Sequence, residues 1–127
     1  MFVTDFDILE ASDGGMRMKP FRKPFFGDPS FPFEMVHRAT KSPQFELPDH
    51  LHDRCEIVYV HGGSGTFFID DTLYEKTKGD LFLIPGDTIH RAFPDAADPI
   101  ISTAVFFAPA FVEPAVPDGS YAPLACF

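Results

Sequence analysis

The sequence predicts an all-β domain with little or no helix. Between about residues 33 and 107, short runs rich in Val, Ile, Phe and Tyr are broken every several residues by Gly, Pro or Asp. The same segment has no 3.6-residue apolar repeat long enough for a stable helix. A chain of 127 residues has room for one domain of this kind. Short strands at regular spacing are typical of a closed or sandwiched β unit.

The first 32 residues form a different segment. They mix short apolar runs with a Gly-Gly pair and four prolines, which excludes a long helix or a central strand. We expect an N-terminal arm over residues 1–32 with one strand. Its aromatic residues make it a candidate lid over the barrel mouth. Four of the ten basic residues also lie here, and we expect them to be solvated: Arg17, Lys19, Arg22 and Lys23.

The predicted β unit covers residues 33–108, and its strands are separated by turn sequences such as Gly62-Gly63-Ser64-Gly65 and Pro85-Gly86-Asp87. The predicted strands are Cys55 to His61, Thr66 to Ile69, Leu73 to Glu75, Leu81 to Ile84, Thr88 to Phe93 and Ile100 to Phe107. Residues 109–127 contain four more prolines, and we expect a Pro-rich linker, truncated before a DNA-binding domain.

The charge of the chain limits its partners. A formal charge of −9 and a pI near 4.7 argue against nucleic-acid binding by this segment, because phosphate binding requires clustered Lys and Arg. The sequence has no apolar run of about 20 residues and no signal peptide. We therefore expect a cytoplasmic protein with no membrane partner.

The segment from His50 to Glu56 carries the clearest chemistry. Side chains alternate faces along a strand, so the even-numbered His50, His52 and Glu56 share one face if the segment is extended. His90 follows the Pro85-Gly86 turn, which can direct its imidazole toward the first group. Three imidazoles and a carboxylate suit one divalent ion such as Zn, Ni, Fe or Mn. The alternative is that the four side chains only hydrogen-bond one another in a wet barrel mouth.

These residues resemble the two motifs of the cupin superfamily. The first motif, HxHxxxE followed by Gly, matches His50, His52, Glu56 and Gly63. The second motif, a Gly, five residues, a Pro and then a His, matches Gly79, Pro85 and His90, although Gly86 follows Pro85 directly where the family often places Gly one residue later. The finer pattern over residues 33–108 is similar to the N-terminal effector-binding cupin of AraC-type transcriptional regulators.

This resemblance implies a cupin double-stranded β-helix, or jelly-roll barrel, that binds a small molecule and forms a homodimer. In that family a separate helix-turn-helix domain contacts DNA. Further candidate ligand-binding residues are Arg91, Tyr59 and Phe82. The alternative for Arg91 is a surface salt bridge, and the alternative for Tyr59 and Phe82 is a place in the hydrophobic core.

Two functions remain open. The leading hypothesis is a ligand-sensing and dimerisation domain of an AraC-type regulator, which binds a small, sugar-like metabolite and contacts DNA through a domain absent from this chain. The alternative is a stand-alone metal-dependent cupin enzyme of the dioxygenase or isomerase type. The sequence singles out no acid or base beside the cluster, and therefore identifies no catalytic residue.

Overall fold

The computed structural model describes residues 8–10, 16–112 and 122–127, and within these ranges it is built mainly of β-strands. In chain order the strands are β1 (Ile8–Glu10), β2 (Met16–Met18), β3 (Phe21–Arg22), β4 (Phe33–Lys41), β5 (His50–Leu51), β6 (Cys55–Gly62), β7 (Gly65–Ile69), β8 (Thr72–Lys76), β9 (Leu81–Ile84), β10 (His90–Pro94) and β11 (Ile100–Phe107). Helical structure in these ranges is limited to the one-turn α1 (Pro109–Val112) and two 3-10 turns, Pro43–Phe45 and Pro123–Cys126. The structure confirms the all-β prediction.

The strands form two main sheets. One sheet has the order β3-β5-β10-β7-β8 and the other has the order β4-β11-β6-β9. Their pairings are antiparallel except for β3, which runs parallel to β5. Strands β1 and β2 make a separate antiparallel pair.

The core lies between the two sheets. In β6, Val58 and Val60 are fully buried while Tyr59 is exposed, as expected when successive side chains point to opposite faces. The central apolar cluster comes from both sheets and consists of Val58, Phe67, Ile84, Ala92, Ala104 and Phe106. Burial of these side chains is the main favourable contribution to folding.

Glycine allows the sheets to approach closely at one end of the barrel. Gly65 has a φ of +155°, and a Cβ at this position would lie 2.8 Å from Ile100 Cδ1 of the facing sheet and 2.5 Å from the Phe93 carbonyl oxygen. A larger residue would separate the sheets here.

Parts of the predicted N-terminal arm and of the C-terminal segment pack against the barrel. Strand β3 of the predicted arm joins the five-stranded sheet, and Phe25 packs its ring on Phe106 at 5.2 Å. At the other end, Phe127 contacts Phe107 with ring centroids 5.9 Å apart. Residues 113–121 of the predicted linker lie outside the described residues. Among the described residues, no helix is long and apolar enough to cross a membrane.

Candidate functional site

Three buried side chains from three strand segments meet inside the barrel. Glu56 is the second residue of β6, His90 begins β10, and His52 follows β5 directly. Their exposed fractions are only 3%, 1% and 1%. We call His52, Glu56 and His90 the triad.

The triad is compact enough to bind one ion. Glu56 Oε2 lies 3.1 Å from His52 Nε2 and 3.0 Å from His90 Nε2. One potential ligand atom from each of the three residues lies within 4.8 Å of the others. Two imidazole nitrogens and a carboxylate oxygen are ligands that suit divalent transition metals.

The local backbone fixes the tautomers of the histidines. Each Nδ1 contacts a backbone carbonyl oxygen two residues away: His50 to Pro48 at 2.8 Å, His52 to Arg54 at 2.7 Å and His90 to Thr88 at 2.8 Å. A carbonyl oxygen can only accept, so each Nδ1 must donate a proton. In the neutral imidazoles of the triad, Nε2 therefore carries a lone pair directed at Glu56. Metal-binding histidines are commonly oriented by such a hydrogen bond.

This arrangement needs a proton or a metal ion between the three side chains. If both imidazoles are neutral, two Nε2 lone pairs lie beside a carboxylate oxygen, which is a repulsive contact. Although His90 Nε2 is only 3.0 Å from Glu56, it has no well-aligned hydrogen-bond partner among the described residues. Either protons on Nε2 or a metal ion would remove the repulsion. The donor set and the orphaned nitrogen therefore fit a divalent metal.

The charges of this region are set by opposing effects. Burial alone would raise the pKa of Glu56, but hydrogen bonds from His52 and His90, donated when their Nε2 atoms carry protons, outweigh burial and hold the pKa below the ordinary range. Burial, and then the neighbouring His90, lower the pKa of His50 to about 3. At neutral pH the site therefore contains an ionised carboxylate beside a neutral His50.

His50 lies at the edge of the triad. Its ring centroid is 4.2 Å from that of His90 and 6.3 Å from that of His52. It is not part of the compact group formed by the other three residues. Its role as a fourth ligand stays a prediction.

The other predicted ligand contacts lie on different faces. Phe82 points into the barrel, where its ring is 5.3 Å from that of Phe67. Tyr59 is 42% exposed on the outer face of the four-stranded sheet, with its ring 4.9 Å from that of His61. Arg91 lies between the buried His90 and Ala92 and stacks over Phe93, so it faces outward from the other sheet. The structure brings neither Tyr59 nor Arg91 to the triad.

Sequence reasoning missed several polar groups that face the interior of the barrel. Lys23, expected to be solvated, is half-buried with Nζ 4.1 Å above the Phe106 ring, and burial lowers its pKa. Lys41, Lys76 and Ser102 also face the interior. Ser102 could have been found from the sequence, because side chains alternate along β11 and Ser102 therefore shares a face with Ala104.

A cavity of about 230 Å³ opens between strands β4 and β11 on one side and Lys23 and the loop after β4 on the other. Its lining includes Lys23, Lys41, Glu46, Ser102, Ala104 and Phe106. The Phe106 ring is also 5.6 Å from the His52 ring, so one aromatic side chain borders both the cavity and the triad.

Sequence comparison relates this chain to transcription regulators. A family model described as an AraC-like ligand binding domain matches residues 32–124. The HTH-type transcriptional activator RhaR of Escherichia coli K12 is 40% identical over 57 residues, and RhaR of Shigella flexneri matches equally well. These matches cover 45% of this chain and only 20% of the length of those curated relatives.

Structural comparison confirms the predicted cupin barrel. A cupin 2 conserved barrel domain protein from Salinispora arenicola has a TM-score of 0.55 and 21% identity, covering 68% of this chain and 74% of that chain. An oxalate decarboxylase from Bacillus subtilis, which has Mn(II) centres, has a TM-score of 0.53 and 21% identity. The match covers 73% of this chain and 23% of that chain. At these identities the likeness establishes the fold alone.

Proposed function

Since this chain belongs to the family of AraC-like ligand binding domains, we propose that it is the ligand-sensing and dimerisation domain of an AraC-type transcriptional regulator. A small, sugar-like metabolite binds inside the barrel. The regulator acts in the cytoplasm and contacts DNA through a separate helix-turn-helix domain. The net charge of this chain, −9, is consistent with DNA contacts being made by another domain.

The observation that carries this proposal is the cavity beside β4 and β11. It combines an apolar wall, Ala104 and Phe106, with the polar groups of Lys23, Lys41 and Ser102. Small-molecule sites are typically concave, with a few polar groups that orient the ligand. A ligand held here contacts strand β11 of the four-stranded sheet and Lys23, which directly follows β3 of the five-stranded sheet.

The ligand must act by shifting a population. It signals only if it binds one arrangement of the sheets and their attached segments better than the other. A ligand that touches both β11 and Lys23 meets this condition, because its contacts depend on how the segment after β3 is placed against the four-stranded sheet.

A hybrid regulator tests the sensing function. The full chain would be fused to a heterologous DNA-binding domain, and reporter expression would be measured with a panel of sugars and sugar acids. We expect at least one compound to change expression. Ala39→Phe, which fills the cavity from β4, should abolish that response, whereas Ala97→Phe in an exposed loop should preserve it. A constitutive reporter with every compound would contradict the proposal.

We further propose that the triad holds one divalent ion, Zn, Ni, Fe or Mn, with His50 as the fourth ligand. The observation in favour is that both Nε2 atoms lie within 3.1 Å of Glu56 Oε2 while both Nδ1 atoms contact backbone carbonyl oxygens. A bound divalent ion acts as a Lewis acid toward an oxygen of a ligand. If turnover accompanies the metal, the chain is an enzyme of the metal-dependent cupin type, which is the second candidate function.

Metal analysis by mass spectrometry tests this site. We expect one metal ion per chain in the wild type and less than a tenth of that in His52→Ala, because the variant loses one of the three ligands. His61→Ala is the matched control, since His61 contacts Thr103 at 2.7 Å, away from the triad. Equal metal content in both variants would show that the triad does not bind the ion. Metal without turnover would favour the sensor over the enzyme.

A further inference from the structure

Lys76 places an ammonium group in the interior of the barrel. The residue is 2% exposed, and its Nζ lies 3.7 Å from the centroid of the Phe67 ring and 5.8 Å from that of Phe82. Within the described residues, Nζ has no hydrogen-bond partner. The two ring faces attract a cation, but a buried charge without an anionic partner remains costly.

Strand register explains the direction of Lys76. It pairs with Gly65 across the antiparallel β7–β8 ladder, and directly opposed residues point to the same face. That face is the inner one, because a Cβ added to Gly65 would lie 2.8 Å from Ile100 Cδ1 of the other sheet. Lys76 therefore extends between the two sheets.

Ser102 supplies a second unsatisfied group at the same end of the barrel. It lies two residues after Ile100 on the same face of β11 and is 1% exposed. Its Oγ has no hydrogen-bond partner in the described part of the chain. Ser102 also lines the cavity beside β4 and β11. The two buried groups without described partners thus lie on inner faces close to the contact between Gly65 and Ile100.

The nearby carboxylates already have partners. Glu56 lies against the two histidines of the triad, and Glu46 Oε1 is 3.9 Å from Lys41 Nζ. Burial, and then the charge of Lys41, lower the pKa of Lys76 to about 7. An anion beside Nζ would oppose both effects. The interior thus has a position for a negative group that no described side chain fills.

We propose that the effector is a small organic acid whose carboxylate binds Lys76 Nζ and Ser102 Oγ. This inference rests on the proposed ligand-sensing function. A carboxylate accepts hydrogen bonds from both groups, and the bond to an ammonium is charge-assisted. A neutral ligand of the same shape would leave the buried ammonium without a counter-charge, so the site should select acids over their uncharged analogues.

Matched acid and amide pairs test the selection. Calorimetric titrations of the full chain at pH 6.5 would use glucuronate and glucuronamide, glycerate and glyceramide, and benzoate and benzamide. We expect at least one acid to bind ten-fold or more tightly than its amide. Lys76→Met keeps the length of the side chain without its charge and should remove this preference. Lys78→Met, at an exposed position two residues later, should keep it.

A second variant keeps the test valid if Lys76→Met does not fold. Ser102→Ala removes only the hydroxyl and should weaken acid binding several-fold while leaving amide binding unchanged. Equal binding of acid and amide, or binding of the amides alone, would overturn the carboxylate proposal and leave the sensing function standing. Failure of all six compounds at 10 mM would also overturn it, and the hybrid reporter would then decide separately whether the domain senses another ligand.

Discussion

The charge of Lys76 makes the stability of the fold depend on pH. Burial, followed by the charge of Lys41, lowers its pKa from 10.5 to about 7 in the folded protein. The cost of the buried ammonium is therefore fully present below about pH 7 and disappears as the pH rises toward 10.5. Between these values the unfolded chain binds more protons, so stability rises with pH by at most about 1.4 kcal/mol per pH unit.

Urea unfolding of Lys76→Met measures this contribution. The variant should be more stable than the wild type at pH 6, and its advantage should shrink steadily at pH 8 and pH 9. The carboxylates that also act on Lys76, Glu46 and Glu56, are present in both proteins. Lys78→Met should show no such trend. A pH-independent difference between Lys76→Met and the wild type would mean that the ammonium is not destabilised by its site.

At the scale of the residue, the alternation of side chains along a strand was enough to predict which residues of β6 face the interior. Glu56 and the buried valines of β6 could be assigned to one face because Tyr59 and the neighbouring odd positions point outward. Lys76 could not be assigned in this way. Both faces of β8 mix polar and apolar residues, and only the pairing with Gly65 decides which face is buried.

At the scale of the element, the Pro85–Asp87 turn aligns two members of the triad. The backbone N–H of Asp87 donates to the His52 carbonyl oxygen at 2.6 Å, and His90 begins its strand three residues later. Gly86 packs directly against the loop after His52, since a Cβ at this position would lie 2.6 Å from the Asp53 carbonyl oxygen. The turn and the loop therefore hold each other in place.

Gly86→Ala should disturb this alignment. The colliding atom is backbone and cannot rotate away, so we expect a loss of about 1–3 kcal/mol in the free energy of unfolding and a ten-fold or greater loss of Zn²⁺ affinity. Gly62→Ala is the control, because a Cβ at Gly62 meets nothing within 4 Å; its stability should change by less than about 0.5 kcal/mol. Urea unfolding and zinc titration measure both effects. Equal behaviour of the two variants would show that this contact does not position the triad.

Most elements of the barrel could be predicted because each strand is bounded by turn residues. Leu81–Ile84 and Ile100–Phe107 have the predicted bounds, and the remaining predicted strands differ by one or two residues at their ends. Strand β3 has only two residues and pairs with the equally short β5, so its place in the sheet depends on contacts distant in sequence. Such pairings leave little periodic signal in the chain itself.

At the scale of the whole molecule, the outer face of the four-stranded sheet is apolar across its width. The register aligns one row of side chains over all four strands, formed by Met35, Val105, Ile57 and Leu83. In the adjacent row, Tyr59 is 42% exposed and its partner Leu81 is 58% exposed. A contiguous apolar surface of this kind is typical of a protein interface. It supports the proposal that the domain dimerises.

Sedimentation of the full chain tests dimerisation through this face. In a two-fold symmetric dimer each copy uses the same surface, so one substitution places two charges in the interface. We expect a mass of twice 14.2 kDa for the wild type and the mass of one chain for Leu81→Glu. Leu73→Glu, at a 64% exposed position on the other sheet, should remain dimeric. If Leu73→Glu dissociates and Leu81→Glu does not, the five-stranded sheet forms the interface; a wild type that is monomeric at 100 μM would contradict dimerisation by this domain.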